Sequence, residues 1–225
     1  MTDLPPFERL RRGAGPLWSE FTGHPFVRGL GDGTLPAAAF RRYLTQDYLF
    51  LIQFARAYAL AGYKAQRLAD LRAASDGCAA ILGELPLHVS FCAGWGLDEA
   101  GMAAEPEALE TVAYTRFVLD CGAAGDILDL YAALAPCVLG YAEIGPALAA
   151  RPVPGNPYAA WIATYAGPDY QAAAGTTRDT LARLWVERGG DARAAALQAT
   201  FSTAVRLETA FWSMGWRGAG QAGSG

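Results

Sequence analysis

The sequence predicts an all-α, single-domain helical bundle, and three observations carry that expectation. Apolar residues recur at steps of three and four in every major segment, the repeat of one helix face. No stretch alternates apolar and polar residues for long between turn signals, as a half-buried strand would. Hydrophobic residues make up 52% of the 225-residue chain against 18% charged, which supplies a buried interior and excludes a mostly disordered chain. A chain of this length holds one or two domains. No linker or internal repeat parts two cores, so one domain is expected over residues 1–217.

The elements follow in order. A first helix is expected over 5–21, broken at Gly13-Ala-Gly-Pro16. The run Gly29-Leu-Gly-Asp-Gly33 reads as a turn, and Thr34 as an N-cap with Pro36 in the first turn of a helix that reaches Lys64. A third helix covers 66–92, and Pro86 should bend or end it. Pro106 opens a helix to Cys121, and Gly122 and Gly125 bracket the next turn. Asp126 starts the following helix, which runs through Pro136 and Cys137 to 149. Asn156-Pro157 supplies an N-cap and first-turn pair for a short helix to Tyr165, stopped by Gly167-Pro168. Helices over 177–188 and 192–216 complete the set. The tail over 218–225, Gly-Ala-Gly-Gln-Ala-Gly-Ser-Gly, offers little to pack and is expected to be disordered.

Composition excludes several function classes. A formal net charge of −4 argues against a nucleic-acid binder and leaves small molecules and other proteins as partners. No charge-free run of about 18 apolar residues occurs, so no membrane span is expected. The start, Met1-Thr-Asp-Leu-Pro-Pro6, lacks the basic and then apolar pattern of a secretory signal. Cys78, Cys92, Cys121 and Cys137 have no CxxC spacing and lie inside helical patterns, which reads as free thiols in a reducing, cytoplasmic setting. Two histidines are present, His24 and His88. Glu84 and His88 stand in ExxxH spacing, not the ExxH of carboxylate-bridged di-iron bundles, and no second copy occurs. No metal and no cofactor are therefore expected, and His88 reads as a surface or core-edge residue.

Three polar residues stand on apolar stripes. Phe40, Leu44, Asp47, Leu51, Phe54 and Tyr58 trace one helix face with Asp47 in its middle. Leu197, Phe201, Ala204, Glu208 and Phe211 repeat the pattern around a glutamate. Leu130, Leu134, Cys137, Tyr141 and Ile144 do so around a thiol and a phenol, and Pro136 should leave the Ala132 carbonyl free nearby. A carboxylate on a core face must be paired, hydrogen-bonded or protonated. Each feature alone has a packing explanation, and a buried cysteine is more often a small hydrophobe than a nucleophile. If the three faces meet, they bring two acids and a thiol into one pocket, a set suited to nucleophilic catalysis. Tyr114, Tyr141, Tyr165, Trp161 and Phe50 add aromatic surface that would suit a flat heteroaromatic ligand, with Trp161 better read as core packing.

The motifs around these positions resemble the TenA/thiaminase II family. They are His24-Pro-Phe-Val-Arg-Gly-Leu-Gly-Asp-Gly-Thr-Leu-Pro36, Phe40-Arg-Arg-Tyr43, Gln46-Asp-Tyr48, Phe54-Ala-Arg-Ala57, Tyr114-Thr115, Leu134-Ala-Pro-Cys137, Tyr141-Ala-Glu143, Trp161-Ile-Ala-Thr-Tyr165 and Glu208-Thr-Ala-Phe-Trp212. They occur in family order across almost the whole chain. The resemblance implies a bundle of the haem-oxygenase-like type, commonly a homotetramer. It also implies hydrolysis of thiamin, or of 4-amino-5-aminomethyl-2-methylpyrimidine, to the hydroxymethylpyrimidine in thiamin salvage. Cys137 matches the family's catalytic cysteine, Asp47 and Glu208 its two acids, and Tyr114, Tyr141 and Tyr165 its pocket tyrosines. Many relatives carry a tyrosine where this chain has Phe50, so one hydroxyl of the pocket wall is lost. In the implied chemistry the Cys137 sulfur adds to the pyrimidine, Glu208 protonates a ring nitrogen, and Asp47 orients the amino edge. Two alternatives are another cofactor-free enzyme on the same fold and a non-catalytic pyrimidine binder or regulator.

Overall fold

Prolines and glycines cut the first forty residues into short helices, as a computed structural model describing residues 4–221 shows. α1 (Pro6–Ala14) and α2 (Pro16–Thr22) meet at Gly15, whose φ of +53° suits a residue without Cβ. α3 (Pro25–Asp32) occupies much of the segment expected to be a turn. His24 caps it, its Nδ1 accepting from the Phe26 N–H at 3.1 Å, and only Gly33, at φ +74°, carries the reversal. α4 (Ala37–Lys64) starts after Pro36, so Thr34 does not cap it. The extended backbone of Pro36 opens the helix, while the Leu35 N–H closes the preceding loop on the Gly29 carbonyl at 3.0 Å.

α5 (Leu68–Ala93) runs unbroken past Pro86. α6 (Glu99–Ala104) was not anticipated; Asp98 caps it by accepting from the Gly101 N–H. α7 (Leu109–Ala124) begins beyond Pro106 because the buried Gln46 amide holds the approach in place. Its Nε2 donates to the Pro106 carbonyl and its Oε1 accepts from the Ala108 N–H. α8 (Ile127–Ala149) opens on a reciprocal capping box between Asp126 and Asp129. α9 (Ala159–Ala166) starts later than expected, since Asn156 makes a turn to the Tyr158 N–H and does not cap the helix itself. α10 (Pro168–Glu187) begins well ahead of Thr177, with Pro168 in its first turn where a missing N–H costs nothing. α11 (Ala194–Gln221) continues past Trp216, and residues 222–225 of the glycine-rich tail lie outside the described residues. Among the described residues there is no strand.

α8 lies at the centre, packed by α7, α9, α10 and α11, while α4 lies against α5, α7 and α11. By length and composition α8 could cross a membrane, yet 78% of its most apolar stretch is buried inside the bundle. That burial is what a core helix requires. Gly145 fixes how closely α9 approaches: a Cβ there would lie 2.5 Å from the Tyr165 backbone carbon. The close seat brings the Tyr165 ring to 5.0 Å from that of Tyr141.

Candidate active site

All residues of the α4 and α11 stripes are buried, Asp47 at 5% exposure and Glu208 at 2% included. On α8 the apolar members of the stripe are likewise buried, and Cys137 is half-buried because its thiol faces a cavity. This cavity, about 530 Å³, is lined by Asp47, Cys137, Tyr141 and Tyr165, together with Tyr58 and Tyr170. Glu208 stands behind the wall, near enough to Cys137 for its charge to act on the thiol. The three polar residues picked out by helical spacing therefore meet.

The remaining positions fall into two groups. Tyr141 and Tyr165 face the cavity, and Tyr141 stacks on Trp212 at 5.2 Å. Tyr114 and Phe50 stand one layer behind. The Tyr114 hydroxyl donates to Glu208 Oε1 at 2.8 Å, and the Phe50 ring packs 4.9 Å from Tyr114 and 5.5 Å from Phe211. Trp161 is core, with no exposure, and backs the Tyr165 ring at 4.4 Å.

His88 is corrected by the structure. It is 1% exposed, its Nε2 lies 2.7 Å from Asp47 Oδ2, and its Nδ1 lies 3.2 Å from the Glu84 backbone carbonyl. Asp47 Oδ2 also accepts from the Tyr43 hydroxyl at 2.9 Å, and Glu84 Oε1 accepts from the Tyr165 hydroxyl. Asp47, Glu84 and His88 present ligand atoms within 4.8 Å of one another, the one group found among the described residues able to hold a metal ion. Here His88 bonds Asp47, and Tyr43 and Tyr165 bond the two carboxylates. The sequence held a signal for this cluster: Ile81, Glu84, His88 and Cys92 step by three, four and four along one face of α5. That face is mixed in polarity, which hid it.

Burial governs the electrostatics. It pushes the Glu208 carboxyl up to about 8; the Asp47 charge adds to the rise, while the hydrogen bond from Tyr114 and the neighbouring Cys137 thiol oppose it. Burial also lifts the Cys137 thiol well above the ordinary range, and the charges of Glu208, Asp47 and Glu84 add to this. Glu84 is raised, first by burial, with Asp47 adding and with His88 and Tyr165 opposing. Tyr114, Tyr141 and Tyr165 are all raised, chiefly by burial, so they are neutral hydroxyls near neutral pH. A neutral carboxyl beside a neutral thiol can give one proton and take another in the same event.

Residues 12–218 match the model of the TENA/THI-4/PQQC family. The chain belongs to that family. It is 35% identical over 211 residues to an aminopyrimidine aminohydrolase of Halalkalibacterium halodurans, covering 90% of this chain and 92% of that one. Among solved structures, a TenA family transcription regulator of Silicibacter sp. TM1040 is similar at 45% identity, with a TM-score of 0.88 over 94% of this chain and 96% of that one. A domain of unknown function from Shewanella denitrificans with a haem-oxygenase-like fold superimposes at TM-score 0.74 and 15% identity, over 97% of this chain and 95% of that one. The TENA/THI-4/PQQC chain described here thus has the haem-oxygenase-like fold.

Proposed function

We propose that the chain is an aminopyrimidine aminohydrolase, a thiaminase II, acting on 4-amino-5-aminomethyl-2-methylpyrimidine and thiamin in thiamin salvage. The observation that carries the reading is the meeting of Asp47, Cys137 and Glu208 at a cavity walled by tyrosines. The named activity of the Halalkalibacterium relative supports it.

The chemistry follows from the protonation states. As the Cys137 sulfur bonds to a ring carbon, one Glu208 oxygen takes the thiol proton and the other delivers a proton to a ring nitrogen. Carboxyl and charge are restored, and the ring loses its aromaticity. The amine, protonated as an ammonium, then leaves the exocyclic methylene carbon as a neutral amine with its bonding pair, and water adds there, giving up one proton to the departed amine. The C–S bond breaks, its electrons return to sulfur, and the proton passes back through Glu208 to re-form the thiol. Asp47 receives the amino edge of the ring, and Tyr141 and Tyr165 wall the ligand. Tyr114 holds Glu208 from behind, with Phe50 packed against it.

Incubation with 4-amino-5-aminomethyl-2-methylpyrimidine and thiamin, side by side, with products read by mass spectrometry, tests this. Release of the hydroxymethylpyrimidine is expected. Folded protein that binds the pyrimidine but turns over neither substrate overturns it and favours a regulator, the reading that the name of the Silicibacter protein suggests. The working state is a homotetramer in the cytoplasm. Tyr63, Leu109 and Val186 are each more than 80% exposed on the single chain, apolar surface that assembly would cover, and the four cysteines are free thiols. A monomer by light scattering at micromolar concentration would overturn the tetramer.

A further inference from the structure

Two side chains on one turn of α5 have no part in the steps above, yet both hold residues that do. His88 has an acceptor at each ring nitrogen: the Glu84 carbonyl at Nδ1 and Asp47 Oδ2 at Nε2. A carbonyl oxygen only accepts, so Nδ1 carries a hydrogen. Oδ2 also takes a hydrogen bond from Tyr43, the behaviour of an acceptor oxygen, and an acceptor opposite Nε2 calls for a hydrogen there as well. A ring with hydrogens on both nitrogens is an imidazolium. Glu84, whose carbonyl fixes that ring, receives the Tyr165 hydroxyl on its own carboxylate.

We propose that His88 is a positioning residue, a buried cation that locks Asp47 through Oδ2 and leaves Oδ1 to the amino edge of the substrate; its catalytic half rests on the hydrolase reading. Among the described residues no donor bonds Oδ1, and no lysine or arginine lines the cavity. The titratable groups of the cluster around the Asp47–His88 pair are Asp47 and Tyr43 from α4, Glu84 on α5, Cys137 and Tyr141 from α8, Tyr165 from α9, Tyr170 from α10 and Glu208 from α11. Three of these are acids and none is a base, so His88 is the counter-charge to Asp47. Burial opposes the cation, but the hydrogen bond to Asp47 and its charge, then the charge of Glu84, outweigh it and raise His88 above the ordinary histidine range. Removing either partner would strand the other in the interior.

Nitrogen-15 NMR of the imidazoles in the full-length protein tests the charge directly. The chain has two histidines, and His24→Asn identifies which signals belong to His88. Both His88 nitrogens should be protonated at about pH 7, above where an unperturbed ring is half neutral, and Asp47→Asn should make the ring neutral there. A neutral His88 in the wild type, or a charge state indifferent to Asp47→Asn, overturns the proposal. For positioning, His88→Gln keeps a neutral donor. It should lower kcat/KM by about tenfold or more, with most of the change in KM. A folded Gln variant within about threefold of wild type overturns the positioning role. Failure of the wild type to hydrolyse any aminopyrimidine would sink the hydrolase reading and, with it, the catalytic half of the proposal, while the NMR result still decides the charge.

Discussion

The Tyr114 hydroxyl on α7 donates to Glu208 Oε1 on α11 across 2.8 Å of buried interior. One phenol thereby sets how strongly the acid of the site holds its proton. It pulls Glu208 down against a burial effect that leaves the carboxyl at about 8.

The rate should therefore fall as pH rises through about 8, where Glu208 loses its proton. Tyr114→Phe removes an interaction that lowers this value, so the alkaline limb should move to higher pH while the maximal rate drops about tenfold. Stability carries the same sign. The folded carboxyl binds its proton more tightly than the unfolded one, so its contribution is complete below about pH 4.3 and is lost as pH climbs to about 8. Denaturant melts of wild type and Glu208→Gln across that window should differ in slope; parallel pH profiles would contradict the shift.

Cys137→Ser should leave less than about a tenth of wild-type turnover, a loss above about 1.4 kcal/mol in barrier, with the fold intact by circular dichroism. Cys78, Cys92 and Cys121 are the controls. Cys92 is fully buried, and none of the three lines the cavity, so their serine variants should turn over at near-normal rates per folded molecule. Retention of more than a tenth by Cys137→Ser would remove covalent catalysis from the mechanism.

Gly145→Ala should both destabilise and inactivate. The new methyl group meets the α9 backbone at Tyr165, and relief requires α9 to move outward, carrying a cavity wall with it. The expected cost is about 1–3 kcal/mol in denaturant unfolding, with KM rising more than kcat falls. Gly175→Ala, where a Cβ meets nothing within 4 Å, is the matched control on α10 and should be neutral or slightly stabilising.

Activity should survive prolonged treatment with EDTA. Asp47, Glu84 and His88 are close enough to hold an ion, which makes the measurement pointed. Yet His88 and Tyr43 already occupy Asp47 Oδ2, and Tyr165 occupies Glu84 Oε1. Loss of turnover with chelator, restored by a divalent metal, would overturn the metal-free mechanism.

Sequence alone determined which faces of three helices turn inward. Asp47, Cys137 and Glu208 sit among apolar residues at helical spacing, and a helix buries the face its own repeat defines, so local periodicity suffices. Capping chemistry likewise fixed the start of α8, because Asp126 and Asp129 are three residues apart in the chain. Helix starts that depend on distant groups escaped it: α7 waits on Gln46, and the approach to α9 is tied by Asn156 to the carbonyls of Leu30 and Gly31. Only the tertiary structure decided that Asp47 would meet His88, 41 positions away, and that Tyr114 would meet Glu208, 94 away. Those pairings belong to the packing of one helix on another. The stepping of Ile81, Glu84, His88 and Cys92 puts His88 on one face of α5, but the mixed polarity of that face does not say whether it turns to the core or to water until its partner arrives.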